Sequence, residues 1–347
     1  MDIKKELFGM TKEGKEAYIF TLKNSKGMKV QVSNYGAILV SLFVMNKFGE
    51  FKDVVLGYDK LEDYFSNDLL FGATVGRNVN RIENAEFKID GVTYHLVKNK
   101  NQHNIHSDKE AGFHKVLWNF KIVNNNAVEF YYKSFDGEQG FPGNLDISVT
   151  YSLTEANGLM ISYRGVSDKK TLINLTNHTY FNLSGHDSGD ILDTRVAIEA
   201  DYYTPIKEEI IPNGEIASIK ETPMDFKVSK AIGKEIDSNF KQLKLAQGYD
   251  HNFVLNNQDI GIRKIAEAFS ESEEIKMEVY SDQPGLQFYA GNSMKETIGK
   301  GGAVYKKRGG FCMEPQFYPN SINIENFKSP LFDKGEEFKT TTIYQFI

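Results

Sequence analysis

Cysteine is nearly missing: Cys312 is alone among 347 residues, so no disulfide can close within the chain. Such sparing use of thiols suits a reducing compartment, and a single cysteine reads first as a buried, inert one. Long apolar runs are missing too, since the longest, Tyr35 to Met45, falls well short of the ~20 residues that span a bilayer. The opening MDIKKELFGM alternates charges and lacks the apolar core of a secretory signal, which makes a cytoplasmic location the expectation. Positive charge is not in excess. A net charge of -6 disfavours adhesion to nucleic acid or to an anionic membrane. With no tandem repeat, low-complexity tract or Pro/Ser-rich linker, one continuous domain over residues 1–347 is the simplest organisation.

What the chain does have is period-two, β-branched segments. Tyr18 to Leu22, Lys29 to Val32 and Ala37 to Val44 read as strands. EFKIDGVTYHL reads as a hairpin, because Asp90-Gly91 suits the positive φ of a two-residue turn. Two further pairings are Trp118 to Val123 with Val128 to Tyr132, and Leu145 to Leu153 with Leu159 to Tyr163 through Asn157-Gly158. Amphipathic helices are few, the best being a brief one over Lys227 to Ile236. Short, turn-rich connections favour an all-β, large antiparallel β-sandwich over an α/β fold.

Chemistry concentrates in a few stretches. In TLINLTNHTYFNLSGH, His178 can give or take a proton near neutral pH, and Asn177 and Thr179 are placed to fix its tautomer by hydrogen bonding. The bland alternative is a satisfied histidine at a strand end. Asn80 and Arg81 can hold a polyhydroxylated ligand, with Arg77 as the rival arginine. Four histidines fall between His95 and His114, but they sit in a loop with no cysteine nearby and no HExxH helix. That pattern argues against a metal and for one of them, His106, pointing into a polar pocket while the others are solvated. Asp250 opens a strand, as sugar ligand or Asx turn. Gln287 lies in PGLQFYAGN, and Glu314 sits among apolar residues in FCMEPQFYPNSIN. That is a costly place for an acid without partners or work, unless it faces water from an edge strand. The GKGG stretch at Gly299 to Gly302 lacks P-loop spacing and reads as a mobile surface loop.

Taken together, NRI at Asn80 to Ile82, NQHNIH at Asn101 to His106, TNHTYFNLSGH at Thr176 to His186, GYDH at Gly248 to His251, PGLQFYAGN at Pro284 to Asn292 and EPQFYPNSIN at Glu314 to Asn323 resemble the aldose 1-epimerases, the galactose mutarotases. The match keeps its order over nearly the whole chain. The resemblance implies a sugar cleft on an antiparallel β-sandwich and interconversion of α and β hexopyranose anomers without cofactor or metal. It implies Glu314 as base, His178 as acid and His106 as a hydrogen-bonding partner near the ring oxygen. Asn80, Arg81, Tyr180, Asp250 and Gln287 fall at sugar-binding positions or in their motifs. Three positions depart from the family pattern: His103 and Ser107, where glycine is usual, and Asn320, where aspartate is common.

Ring opening needs one proton to leave the anomeric hydroxyl while another reaches the ring oxygen. We therefore expect His178 and Glu314 to face each other across a pocket wide enough for one pyranose. On reference values glutamate is a ready anion at pH 7 and histidine mostly neutral, so Asp250 or Glu314 is expected to keep His178 partly protonated. The rivals are a glycoside hydrolase using Asp250 and Glu314 as a carboxylate pair and a non-catalytic carbohydrate-binding β-sandwich. The expected partner is a hexopyranose, with no nucleic acid and no membrane. Monomer and homodimer stay equally open.

Overall fold

A computed structural model describes residues 2–270, 272 and 274–347. Its strands are antiparallel and fall mainly into three sheets. The first is a meander taken in chain order: Asp2–Met10, Glu16–Lys23, Lys29–Ser33, Ile38–Met45 and Phe51–Asp53. The second has nine strands, with Asn119–Asn124, Ala127–Ser134, Leu145–Leu153 and Gly158–Ser167 at one end. The C-terminal strand Glu337–Phe346 lies at its middle, followed by Lys276–Ser281, Arg263–Phe269, Arg195–Ile198 and Lys230–Ala231. The third, five-stranded, is ordered Ala217–Ser218, Ala200–Tyr203, Asp250–Leu255, Gly285–Tyr289 and Cys312–Gln316.

These sheets exist because their strands alternate. Leu145–Leu153 and Gly158–Ser167 bury every second side chain along most of their length, which is what a strand with one face on a core requires. The buried faces meet across sheets. Phe20 of the meander packs on Phe130 of the nine-stranded sheet at 5.6 Å between ring centroids. The Tyr344 hydroxyl, from the central C-terminal strand, donates to the Met313 carbonyl of the third sheet at 2.9 Å. One apolar cluster draws on all three sheets, with Phe20, Val149 and Phe288 fully buried in it. The result is the antiparallel β-sandwich read from the sequence.

The turn chemistry holds where it was legible. Glu86–Ile89 pairs with Val92–His95 around Asp90 and Gly91, both at positive φ. The expected helix over Lys227 to Ile236 does not form. Lys230–Ala231 instead pairs with Arg195–Val196, extending the nine-stranded sheet, and only Ile232–Lys234 takes a 3-10 turn. The sheet edge offers Ile232 and Gly233 backbone acceptors at Thr194 and Leu192, and that outweighs a weak local periodicity. Among the described residues the two α-helices are Leu61–Tyr64 and Lys241–Ala246. Among the described residues no helix is long and apolar enough to cross a membrane.

Candidate active site

A cavity of about 320 Å³ opens beside the third sheet, and every sequence-predicted site residue lines it: Asn80, Arg81, His106, His178, Tyr180, Asp250, Gln287 and Glu314. Strand pairing in the third sheet explains three of them. Gln287 stands directly opposite Glu314 on one side and Asn252 on the other. Opposed residues share a face, and so do residues two apart on one strand. Asp250, Gln287 and Glu314 therefore project together, and the Gln287 amide donates to Asp250 Oδ1 at 2.6 Å. Asp250 is thus no Asx turn. Glu314 does lie on the last strand of its sheet, yet it is only 2 % exposed.

Asn80 and His106 come from turns. Asn80 stands at φ 65° and His106 at φ 56°, and they hold each other: the His106 N–H donates to the Asn80 carbonyl at 3.2 Å, while the Asn80 N–H donates to His106 Nδ1 at 3.3 Å. Because a backbone N–H can only donate, Nδ1 is the acceptor and Nε2 carries the proton of neutral His106. Asn80 Oδ1 accepts from the Arg81 N–H at 2.9 Å and from Nη1 at 3.3 Å. This steadies a guanidinium whose Nη2 lies 3.5 Å from Asp250 Oδ2.

His178 ends the strand Thr176–His178, which pairs with Ala73–Val75. Its expected neighbours do not orient it. Strand alternation turns Asn177 away, and its amide is spent on the Gly72 carbonyl and the Tyr151 hydroxyl, while Thr179 donates to Asn177. The imidazole is held instead by stacking on Tyr180 at 5.1 Å and by Cys312 Sγ at 3.7 Å from Nδ1. His178 Nε2 faces Glu314 Oε1 at 3.8 Å. The pair therefore sits side by side on one wall rather than across the pocket. That spacing is still compatible with the chemistry, because the two oxygens to be served hang on the same anomeric carbon. His178, Cys312 and Glu314 are also close enough to suggest a metal cluster. But sulfur and carboxylate flank different ring nitrogens, an arrangement that grips the imidazole by two edges rather than wrapping one ion.

Burial controls the electrostatics. It raises the Glu314 carboxyl well above its usual range, Asp250 adding to the shift and Arg81 opposing it. It lowers His178 to about 4 against the weaker pull of its own backbone carbonyl and of Asp250. The expectation of a ready glutamate anion beside a partly protonated histidine is thus reversed in the free protein, since desolvation outweighs the neighbouring charges. His106 is lowered well below its ordinary value by burial and by the cationic side chains around it, and stays neutral. Arg81 Nε, Gln287 Oε1 and Glu314 Oε2 are buried polar atoms with no hydrogen-bond partner among the described residues. Groups like these normally find partners, and their lack of protein partners leaves them available to a hydroxyl-rich ligand.

The Aldose 1-epimerase family model matches residues 18–345. The chain belongs to the aldose 1-epimerase family. It is 40 % identical to the human galactose mutarotase over 320 residues, 92 % of this chain and 91 % of the relative. It is 36 % identical to the aldose 1-epimerase of Escherichia coli (strain K12), covering 96 % of each. The crystal structure of galactose 1-epimerase from Lactobacillus acidophilus NCFM superposes with a TM-score of 0.88 at 29 % identity, covering 100 % of this chain and 99 % of that one.

Ser107 and Asn320, two of the positions expected to depart from the family pattern, both take positive φ and are tied in by side-chain bonds. Ser107 takes φ 63°, and its hydroxyl both accepts from the Asn78 N–H and donates to the Asn78 carbonyl. Asn320 at φ 58° accepts the Glu83 N–H at 3.0 Å and so braces the Arg81 strand end. His103 and His114 are buried, not solvated as expected, His103 against Glu209 and His114 along the cavity wall. Of the four histidines in that segment, only His95 is exposed. Apolar lining from Ile105, Ile210 and Leu245 went unread, because single aliphatic residues on such short elements carry no local signal of what they face. The role of Cys312 had one available sign, its i, i+2 spacing from Glu314.

Two rival features turn out to be structural. The GKGG loop is anchored, with buried Lys300 reaching Asp53 at 2.6 Å and the Val40 carbonyl at 3.0 Å. Arg77 is fully buried and spends its guanidinium on the Ser134 hydroxyl and on the carbonyls of Ser134, Phe135, Pro142 and Gly143. Arg77→Met would orphan those carbonyls, and we expect a loss of about 3 kcal/mol or more, read as a lowered denaturant midpoint at constant slope.

Proposed function

We propose that this single-domain protein acts in the cytoplasm as an aldose 1-epimerase, interconverting the α and β anomers of a hexopyranose with Glu314 and His178 as the acid–base pair. The observation that carries the reading is the 3.8 Å approach of His178 Nε2 to Glu314 Oε1 at a cavity wall, with burial pushing the two groups in opposite directions.

In the reactive arrangement Glu314 is a carboxylate and His178 an imidazolium. Glu314 takes the proton of the anomeric hydroxyl while His178 Nε2–H passes its proton to the ring oxygen, and the C1–O5 bond breaks to give the open aldehyde. The pair is then a protonated Glu314 beside a neutral His178, which is the state that burial favours. Burial favours that same neutral state in the free protein, so the reactive arrangement forms by passage of the Glu314 proton to His178 before ring opening. Rotation about C1–C2 presents the other face, and the reverse transfers close the ring. No hydrogen bound to carbon moves, and the steps balance in protons without a cofactor. His106, neutral with its proton on Nε2, supplies a fixed donor for charge developing on the ring oxygen. Arg81, Asp250 and Gln287 hold hydroxyls, with Asn80 holding Arg81.

The test is polarimetry on freshly dissolved α-D-galactose and α-D-glucose, with wild type and Glu314→Gln side by side. Wild type matching the spontaneous rate rejects the reading. Asp250→Asn is expected to raise KM about 10-fold or more, because Arg81 and Gln287 both lean on this carboxylate. Calorimetric sugar titration checks this, with circular dichroism confirming an unchanged fold.

A further inference from the structure

Ile210 lines the cavity from a turn that a branched residue does not choose. It stands at φ 62° and Glu209 before it at φ 61°. For a β-branched side chain that region is a genuine outlier, and such strain persists where the surroundings over-determine it. The surroundings do so here. Glu209 Oε1 accepts from the Asn101 amide at 2.5 Å, and Oε2 meets His103 Nε2 at 2.6 Å. His103 cannot turn away, because its Nδ1 accepts the Asn84 N–H at 2.9 Å, which leaves Nε2–H to donate to the carboxylate. At the other end of the turn the Gln242 side chain bonds both the N–H and the carbonyl of Ile206, at 2.7 and 2.9 Å. The Lys207 N–H closes on the Ile211 carbonyl at 2.8 Å.

We propose that Ile210 is a substrate-binding residue, whose side chain contacts the C–H surface of the bound pyranose, and that Glu209 is the positioning residue that holds it there by tying its turn to the His106 loop. The inference rests on the sugar-pocket reading and adds an apolar contact to its polar ones. A pyranose offers its hydroxyls to Arg81, Asp250 and Gln287, and its ring C–H groups need an apolar partner that gives up no hydrogen bond on desolvation.

Ile210→Ala is expected to raise KM for galactose or glucose about 10-fold, with kcat changing much less, as when binding common to ground and transition states is removed. Glu209→Ala should reproduce that KM, and the double variant should be no worse than Ile210→Ala alone, because Glu209 acts through Ile210. Glu209→Gln keeps an oxygen for Asn101 and should lie between wild type and Glu209→Ala. Thermal midpoints are measured in parallel. Galactose titrated into the Glu314→Gln background gives the same comparison without turnover. An unchanged KM and Kd in Ile210→Ala, or effects that multiply in the double variant, overturns the inference. A wild type that binds hexose tightly but does not speed anomerisation, with Kd weakened in Ile210→Ala, overturns the epimerase reading and supports the contact.

Discussion

Glu314→Gln is expected to lower turnover by about 10²- to 10⁴-fold and, above neutral pH, to make the protein harder to unfold. Both effects come from one carboxyl. In the proposed role of proton acceptor for the anomeric hydroxyl, its carboxylate neighbour Asp250 is already engaged by Arg81 and Gln287, and an amide of the same shape cannot accept the proton. Its burial carries the second effect. The folded-state pKa is raised above the unfolded value of about 4.3, so the native protein holds a proton that the unfolded chain releases. The group's contribution to stability is fully present below that unfolded value and is lost as pH rises through the folded one. Gln, neutral throughout, does not suffer the loss. Melting curves at about pH 5 and about pH 8 should therefore diverge between the two proteins at the higher pH. A variant that turns over normally, or melts lower at the higher pH, refutes the assignment.

His178→Asn should reduce turnover by a similar factor of about 10²- to 10⁴, and the pH profile separates its role from that of Glu314. The working pair carries one proton. Below about 4 it gains a second as His178 charges, and above the raised Glu314 value it loses its only one. The wild-type rate should fall on both sides, with apparent constants that belong to the pair rather than to either residue. Loss of Glu314 should remove the alkaline limb and loss of His178 the acid one. Stability responds too. The folded pKa of His178 is depressed, so its contribution is present above the ordinary value of about 6.5 and is lost as pH falls through about 4. The Asn variant should be the less acid-sensitive protein, although His114 and His251, lowered for the same reason, keep part of that response. A rate that stays flat across both limbs is incompatible with this pair.

Much of this was legible in the sequence because turn chemistry and alternation are local. Asp90 and Gly91 in one hairpin and Asn157 in the other take the positive φ that their turns favour, and an acid between Met313 and Pro315 announced its own burial. What stayed hidden depended on partners far along the chain. Lys227 to Ile236 has a weak helical period, but a distant sheet edge supplied stronger backbone bonds. Lys300 looked like a loop cation until Asp53, 247 positions away, paired with it. Asn177 and Thr179 sit beside His178 in sequence, yet strand alternation turned them away and brought Cys312 across from another strand. The direction of the His178 shift depended on how fully the pocket excludes water, which no single stretch records.

The division of the pocket between sheet and loops sets what can drift and what cannot. Asp250, Gln287 and Glu314 are indexed to one pleat, so a one-residue insertion in Cys312–Gln316 would swing the acid to the opposite face and put Met313 or Pro315 in its place. Asn80, His106 and Ile210 hang from turns that absorb changes of length without disturbing the ladder. Among descendants of this sequence, altered sugar preference should accumulate in those turns while the proton-handling strands stay fixed in length.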